Sequence, residues 1–181
     1  MSTALLIIDV QQALCSGTYA TFDAARIIDN INGISEKLRA AGAPVIVVQH
    51  ESNSGPFERD GEGWQLPAAL VVKDADLRLG KQGSDAFHQT PLQTLLQSHG
   101  VSELIVCGMQ SEFCVDSTVR RAMALGYPVT LVSDGHTTIA NGVLSAAQIS
   151  AHHNVTLSEL TSYGARTRLT AAADVVIPIY V

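Results

Sequence analysis

Few residues in this chain have both the type and the placement for covalent chemistry. Asp9 follows the aliphatic residues Leu5 to Ile8, and an acid in that setting is costly to bury unless a cation pairs with it. Lys81, one of only three lysines, is the natural partner. Cys114 lies past Cys107 and Gly108, where Met109-Gln110-Ser111-Glu112 lead into a helical pattern, so its sulfur is expected near that helix's positive end. Free N–H groups there and a nearby ammonium both favour thiolate over thiol, the form a nucleophile needs. The same position suits a buried structural cysteine equally well. Cys107, among Leu104, Ile105 and Val106, reads as structural, and Cys15 sits in a Gly and Ser loop. His50 and Glu51 end one apolar run and Asp134 ends another, whereas His88 and His136 read as polar loop residues. His152 and His153 are adjacent on a helical pattern and diverge by about 100°, which suits helix-end residues better than one metal. No G-x-S-x-G or H-E-x-x-H is present, and Gly80-Lys81-Gln82 lacks the spacing of a phosphate-binding loop. Neither a metal nor an organic cofactor is expected.

To act together, these residues need a frame that gathers strand ends. Ala4 to Ile8, Val45 to Gln49 and Glu103 to Cys107 are continuous apolar runs of the kind buried on both faces of a parallel sheet. Val129 to Val132, a weaker run near Arg166 to Thr170 and a short extended piece near Asp76 to Leu79 bring the total to about six. Between them, Ile27, Ile31, Ile34 and Leu38 recur at helical spacing, with Gly42 and Pro44 as the stop. Thr90 and Pro91 open a second helix, Phe113 to Leu125 form a third, and Gly142 to His153 a fourth. Strand and helix in alternation, with short links, predict a single α/β domain over residues 1–181. Its open, mostly parallel sheet carries helices on both faces, a Rossmann-like three-layer sandwich. Ligands of such sheets bind beyond the carboxyl ends of the strands, where Asp9, His50, Lys81 and Cys114 all fall. The one long link, Glu51 to Lys73, carries Phe57 and the only tryptophan, Trp64. A connection of that length is either functional or an ordinary surface excursion.

Composition narrows the partners. The 181 residues include 15% charged residues, against roughly 25% in an average soluble domain, and 46% apolar ones, which leaves a generous core. A net charge of −6 with three lysines supports no basic face for nucleic acid. Mean hydropathy is +0.20, yet the longest apolar runs fall far short of the ~18 residues of a membrane span. Asp9 interrupts the first run and no basic stretch precedes it, so it does not read as a signal peptide. An odd number of cysteines, three, then points to thiols in the cytoplasm rather than to a disulfide frame.

Three segments together resemble the isochorismatase-like cysteine hydrolases: Leu5-Leu6-Ile7-Ile8-Asp9-Val10-Gln11; Gly80-Lys81 with Ser84, Ala86 and Phe87; and Gly108 to Thr118. The resemblance runs over nearly the whole chain and implies a catalytic triad of Asp9, Lys81 and Cys114. It also implies a cis peptide at Met109–Gln110 and an oxyanion hole formed by the backbone N–H groups of Gln110 and Cys114. The nicotinamidase branch carries an Asp-x-His metal motif where this chain reads Val48-Gln49-His50-Glu51, so the metal-free, nicotinamidase-related branch is implied. The implied reaction is hydrolysis of a small non-peptide amide or related C–N compound through a thioester, with His50, Phe57 and Trp64 as pocket residues. A homo-oligomer, dimer or tetramer, follows from the same likeness. The alternatives are vinyl ether hydrolysis, in which the cysteine need not act, and a binding or thiol redox-sensing protein on the same fold.

Overall fold

The computed structural model describes residues 2–177. Its strands are β1 (Ser2–Ile8), β2 (Val45–His50), β3 (Leu77–Lys81), β4 (Val101–Met109), β5 (Val129–Thr137) and β6 (Thr167–Thr170). They form one sheet in the order β3-β2-β1-β4-β5-β6, and every neighbouring pair is parallel. The helices are α1 (Gln12–Cys15), α2 (Ala24–Ala40), α3 (Leu92–Ser98), α4 (Asp116–Ala124) and α5 (Ala146–Glu159).

Because β1 lies mid-sheet, its side chains meet apolar partners on both faces, which is why it shows no polar alternation. On one face Leu5 and Ile7 pack with Ile27, Ile31, Ile34 and Leu38 of α2. On the other, Leu6 and Ile8 pack with Leu92 and Leu96 of α3, Val119 and Met123 of α4 and Leu157 of α5. Each such side chain contributes about 1.5–3 kcal/mol on burial. Among the described residues no helix is long and apolar enough to cross a membrane.

The structure departs from the sequence reading at four elements. The short piece near Asp76 is a full edge strand, β3, and carries Lys81 as its last residue. β5 continues through Ser133-Asp134-Gly135-His136-Thr137, a stretch that reads as loop because of its polar content. It stays extended because Asn154 donates to the Ser133 carbonyl and Asn30 to that of Asp134, while the register against β4 shifts between Val106 and Gly108. The third helix opens with a π turn over Ser111–Val115 before α4 begins. The fourth starts at Ala146, where Ser145 and Gln148 form a capping box, and runs on to Glu159.

The long link keeps no regular structure, but it is tied to the body of the fold. The Trp64 carbonyl accepts from Gln11 and Gln49, Asn32 bonds Ala69 and Val71, and Arg39 pairs with Asp76 at 2.7 Å.

Candidate active site

From β1 the chain adds strands outward through β2 to β3, then crosses back and adds β4 to β6 on the opposite side. The carboxyl ends of β1 and β4 therefore flank the switch point at which open α/β sheets bind ligands. The two strands approach closely there. Gly108 pairs with Ile8 at φ +121°, and a Cβ on it would lie 2.1 Å from the Ile8 carbonyl oxygen, so glycine is required.

Asp9 leaves β1 in the left-handed region, φ 49°, a conformation that aspartate tolerates better than most residues. It is 2% exposed. Its N–H donates to Val48 and its carbonyl accepts from Gln11 N–H, both at 2.9 Å. On the far side of β2, Lys81 stands in register with His50 and turns a fully buried side chain back over the strand ends. Its Nζ lies 2.7 Å from Asp9 Oδ2, 3.1 Å from the Gly83 carbonyl, 3.3 Å from Cys114 Sγ and 3.4 Å from His50 Nδ1. Cys114 is half-buried inside the π turn. Asp9 Oδ1 is buried without a hydrogen-bond partner among the described residues.

Asp9, His50 and Cys114 also bring three potential metal ligand atoms within 4.8 Å of one another, a cluster that residue spacing does not reveal. The Lys81 ammonium stands within 3.4 Å of an atom from each, so the cationic position among them is held by the protein's own lysine. Burial disfavours that ammonium, but Asp9 and Cys114 outweigh it and raise the Lys81 pKa above the ordinary lysine value.

At Cys114, burial works against the thiolate that the helix start and the ammonium favour. Burial, joined by Asp9, pushes the thiol up to about 12, and the opposing pull of Lys81 does not compensate. A helix start beside an ammonium does not make a thiolate when the sulfur is also desolvated next to a carboxylate. Cys15 is raised to about 11 by burial, Cys107 is raised further by the same cause, and all three cysteines are free.

His50 and Phe57 meet edge to face with ring centroids 5.4 Å apart, so both stand at the cluster. Trp64 is tied through its carbonyl to Gln11 and Gln49, and its Nε1 is buried without a partner among the described residues. Gln110 links β4 to the π turn in extended conformation, and the Met109–Gln110 peptide is cis. Asp134 is not at the cluster: it lies inside β5, and its carboxylate accepts from Ala172 N–H at 2.7 Å.

Two arrangements escape sequence reasoning. Gln11 is fully buried and bonds both the N–H and the carbonyl of His50, at 2.8 and 3.0 Å. His136 is a buried β5 residue rather than a loop residue. The Ser111 hydroxyl donates to its Nδ1 at 2.7 Å, and its Nε2 meets Asn154 Oδ1 at 2.9 Å. Ser111 opens the turn that carries Cys114, so this chain of bonds braces that turn. The cavity of about 520 Å³ between α2 and the Val71–Lys73 segment shares no residue with the cluster and contains no cysteine, histidine or hydroxyl side chain.

Comparison with known proteins agrees with this architecture. Residues 3–170 match the model of the isochorismatase domain. A streptothricin hydrolase of Streptomyces noursei is 39% identical over 136 residues, 75% of this chain, although the chain spans only 49% of that protein's length. The ureidoacrylate amidohydrolase RutB of Caulobacter vibrioides is 28% identical over 170 residues, covering 74% of this chain and 76% of the relative. An isochorismatase from Pseudomonas putida KT2440 superposes with a TM-score of 0.87 at 30% identity, over 96% of this chain and 90% of that one. With a family match over almost the whole length and a strand-end cluster at the expected switch point, the chain belongs to the isochorismatase family of hydrolases.

Proposed function

We propose that the protein hydrolyses a small non-peptide amide or related C–N compound through a thioester on Cys114. The observation that carries this reading is the convergence of Asp9, Lys81 and Cys114, with Nζ 2.7 Å from the carboxylate and 3.3 Å from the sulfur. The names of two relatives, a streptothricin hydrolase and a ureidoacrylate amidohydrolase, support the C–N class.

Because burial and Asp9 raise the resting thiol, the proton leaves as the bond forms. Sγ attacks the amide carbonyl while its proton passes to Asp9, whose unpartnered Oδ1 has capacity to receive it. The carbonyl electrons move to oxygen, and the backbone N–H groups of Cys114 and Gln110 stabilise the oxyanion. One such donor is worth about 3–4 kcal/mol in other enzymes. As the oxyanion collapses, the C–N bond breaks, and protonated Asp9 gives its proton to the leaving amine. Asp9 then takes a proton from water as the water attacks the thioester, and the proton is returned to the departing sulfur. Lys81 stabilises the charges on carboxylate and sulfur throughout. His50, Phe57 and Trp64 form the pocket wall, and the reaction is metal-independent. The working form is a homo-oligomer, dimer or tetramer.

The test is a panel of small amides read by ammonia release and by intact mass. Turnover together with an acyl adduct on wild type, both lost in Cys114→Ala, is the expected result. Turnover that survives Cys114→Ala would replace the thioester route with direct attack by water.

A further inference from the structure

His50 is held more tightly than a pocket wall requires. One buried amide, Gln11, grips both of its backbone groups, Phe57 packs against its ring, and its Nδ1 faces Lys81 Nζ at 3.4 Å. An ammonium has protons to give and no lone pair to offer, so Nδ1 must be the bare nitrogen and the ring proton belongs on Nε2. Burial and the Lys81 ammonium, against the pull of Asp9 and Glu51, hold the imidazole pKa below its ordinary value and keep the ring neutral. Nε2 has no protein partner among the described residues, and it is absent from the sealed atoms that include Asp9 Oδ1 and Trp64 Nε1. A donor is thus fixed in identity, fixed in direction and left open to a ligand.

We infer that His50 is a dedicated hydrogen-bond donor, locked in its Nε2–H form by Lys81, that selects amides carrying a second oxygen acceptor near the scissile carbonyl. His50 Nδ1 and Cys114 Sγ stand 3.4 and 3.3 Å from the same Lys81 Nζ, which puts the imidazole beside the sulfur that attacks the carbonyl. Lys81 thereby has two tasks: it serves the sulfur, and it writes the tautomer of its neighbour. The locked donor stands on this geometry alone, and only the identity of the attacked carbonyl rests on the hydrolase reading. A ketone or amide oxygen and a carboxylate share the required chemistry.

The experiment has three arms. In wild-type protein, two-bond 1H–15N correlation of His50 should show a protonated Nε2 and a bare Nδ1 at pH 7; an Nδ1–H ring or an imidazolium overturns the inference. Cys114→Ala protein is then titrated with oxamate, pyruvamide and isobutyramide, which place a carboxylate, a neutral oxygen and no acceptor beside the same primary amide. The His50 Nε2 resonance should move with oxamate or pyruvamide, and the preferred probe should bind about tenfold or more tightly than isobutyramide, in line with one well-placed hydrogen bond. Which of the two wins distinguishes carboxylate from neutral acceptor. Equal binding of all three, no movement at His50, or no binding at all overturns the inference. Last, His50→Gln can both accept from Lys81 and donate outward, so it should keep most of the discrimination that His50→Leu loses; equal loss in both overturns it. Binding with the His50 shift but no ammonia release from wild type supports the inference and counts against the hydrolase reading alone.

Discussion

Four acceptors share the three protons of the Lys81 ammonium, and removing that charge has calculable effects. Lys81→Ala leaves the Asp9 carboxylate buried and unpaired, a loss of about 3–5 kcal/mol in buried pairs generally. It also removes the one downward pull on the Cys114 thiol. Turnover should fall by orders of magnitude, and Lys81→Arg should rescue poorly, because a planar fork cannot replace a compact ammonium in that space. Alkylation rate against pH, with circular dichroism to verify folding, is the measurement; a folded Lys81→Ala protein with near-normal turnover removes Lys81 from the site. The thiols make a second prediction. With Cys15 raised to about 11 and Cys114 to about 12, Cys114 holds no lead in resting thiolate over Cys15. Iodoacetamide near neutral pH should therefore label Cys15 at least as fast as Cys114, with Cys107 last. Fast, selective labelling of Cys114 with a plateau near neutral pH would show a standing thiolate and reinstate the simpler view. Asp9, Lys81 and Cys114 are legible in the sequence because each is an unusual residue type directly after or near an apolar run. Gln11 is not: a glutamine reads the same whether solvated or buried, and its partners lie 39 and 53 residues away.

Elements set where these residues point. The π turn that holds Cys114 is braced by Ser111, His136, Ser150 and Asn154. Asn154 donates its Nδ2 to Ser133, so its Oδ1 faces His136 and fixes that ring's proton on Nε2. Ser111→Ala leaves Nδ1 of a buried histidine without a donor, at a cost of about 1–3 kcal/mol. Urea unfolding should register that loss and ammonia release a drop in kcat; an unchanged kcat in the folded variant would make the brace purely structural. The long segment gives a pH prediction. Burial raises the Asp76 pKa, but the hydrogen bonds and charge of Arg39, with the Lys73 N–H, reverse that and hold it below the ordinary value. Its folded pKa is the lower one, so the stabilisation is fully present above the unfolded value near 4 and is lost as pH falls through the folded value. Asp76→Asn should consequently destabilise the protein at pH 7 and converge with wild type in acid; parallel stability curves at all pH values would contradict the assignment. At this scale β1, β2 and α2 are readable from periodicity alone. The end of β5 and the π turn are not, because side chains distant in sequence satisfy their polar groups, and no local pattern reports that.

For the whole molecule, the parallel order of strands explains why four residues from separate parts of the chain meet at the carboxyl end of the sheet. That much follows from alternating strand and helix patterns, whereas the filling of the cationic position by Lys81 needs three-dimensional proximity. Exhaustive chelation should leave amide turnover unchanged; stoichiometric zinc or iron whose removal abolishes activity and whose return restores it would relocate Lys81 to a supporting role. Phe22, Phe113, Val143 and Val155 are all more than half exposed. Sedimentation at micromolar concentration should show a dimer or tetramer, and a monomer would refute the assembly. The strand order has one more consequence. The first half of the chain builds β1 to β3 and supplies Asp9, His50 and Lys81, while the second builds β4 to β6 and supplies Cys114. Their seam, β1 against β4, passes through the site, and the chain between the halves is exposed at His88 and Gln89. On the proposed mechanism, a cut there parts the base and the cation from the sulfur, and neither piece alone should release ammonia from an amide. Reunion would switch hydrolysis on, so each half could be fused to a protein of interest as a reporter of encounter.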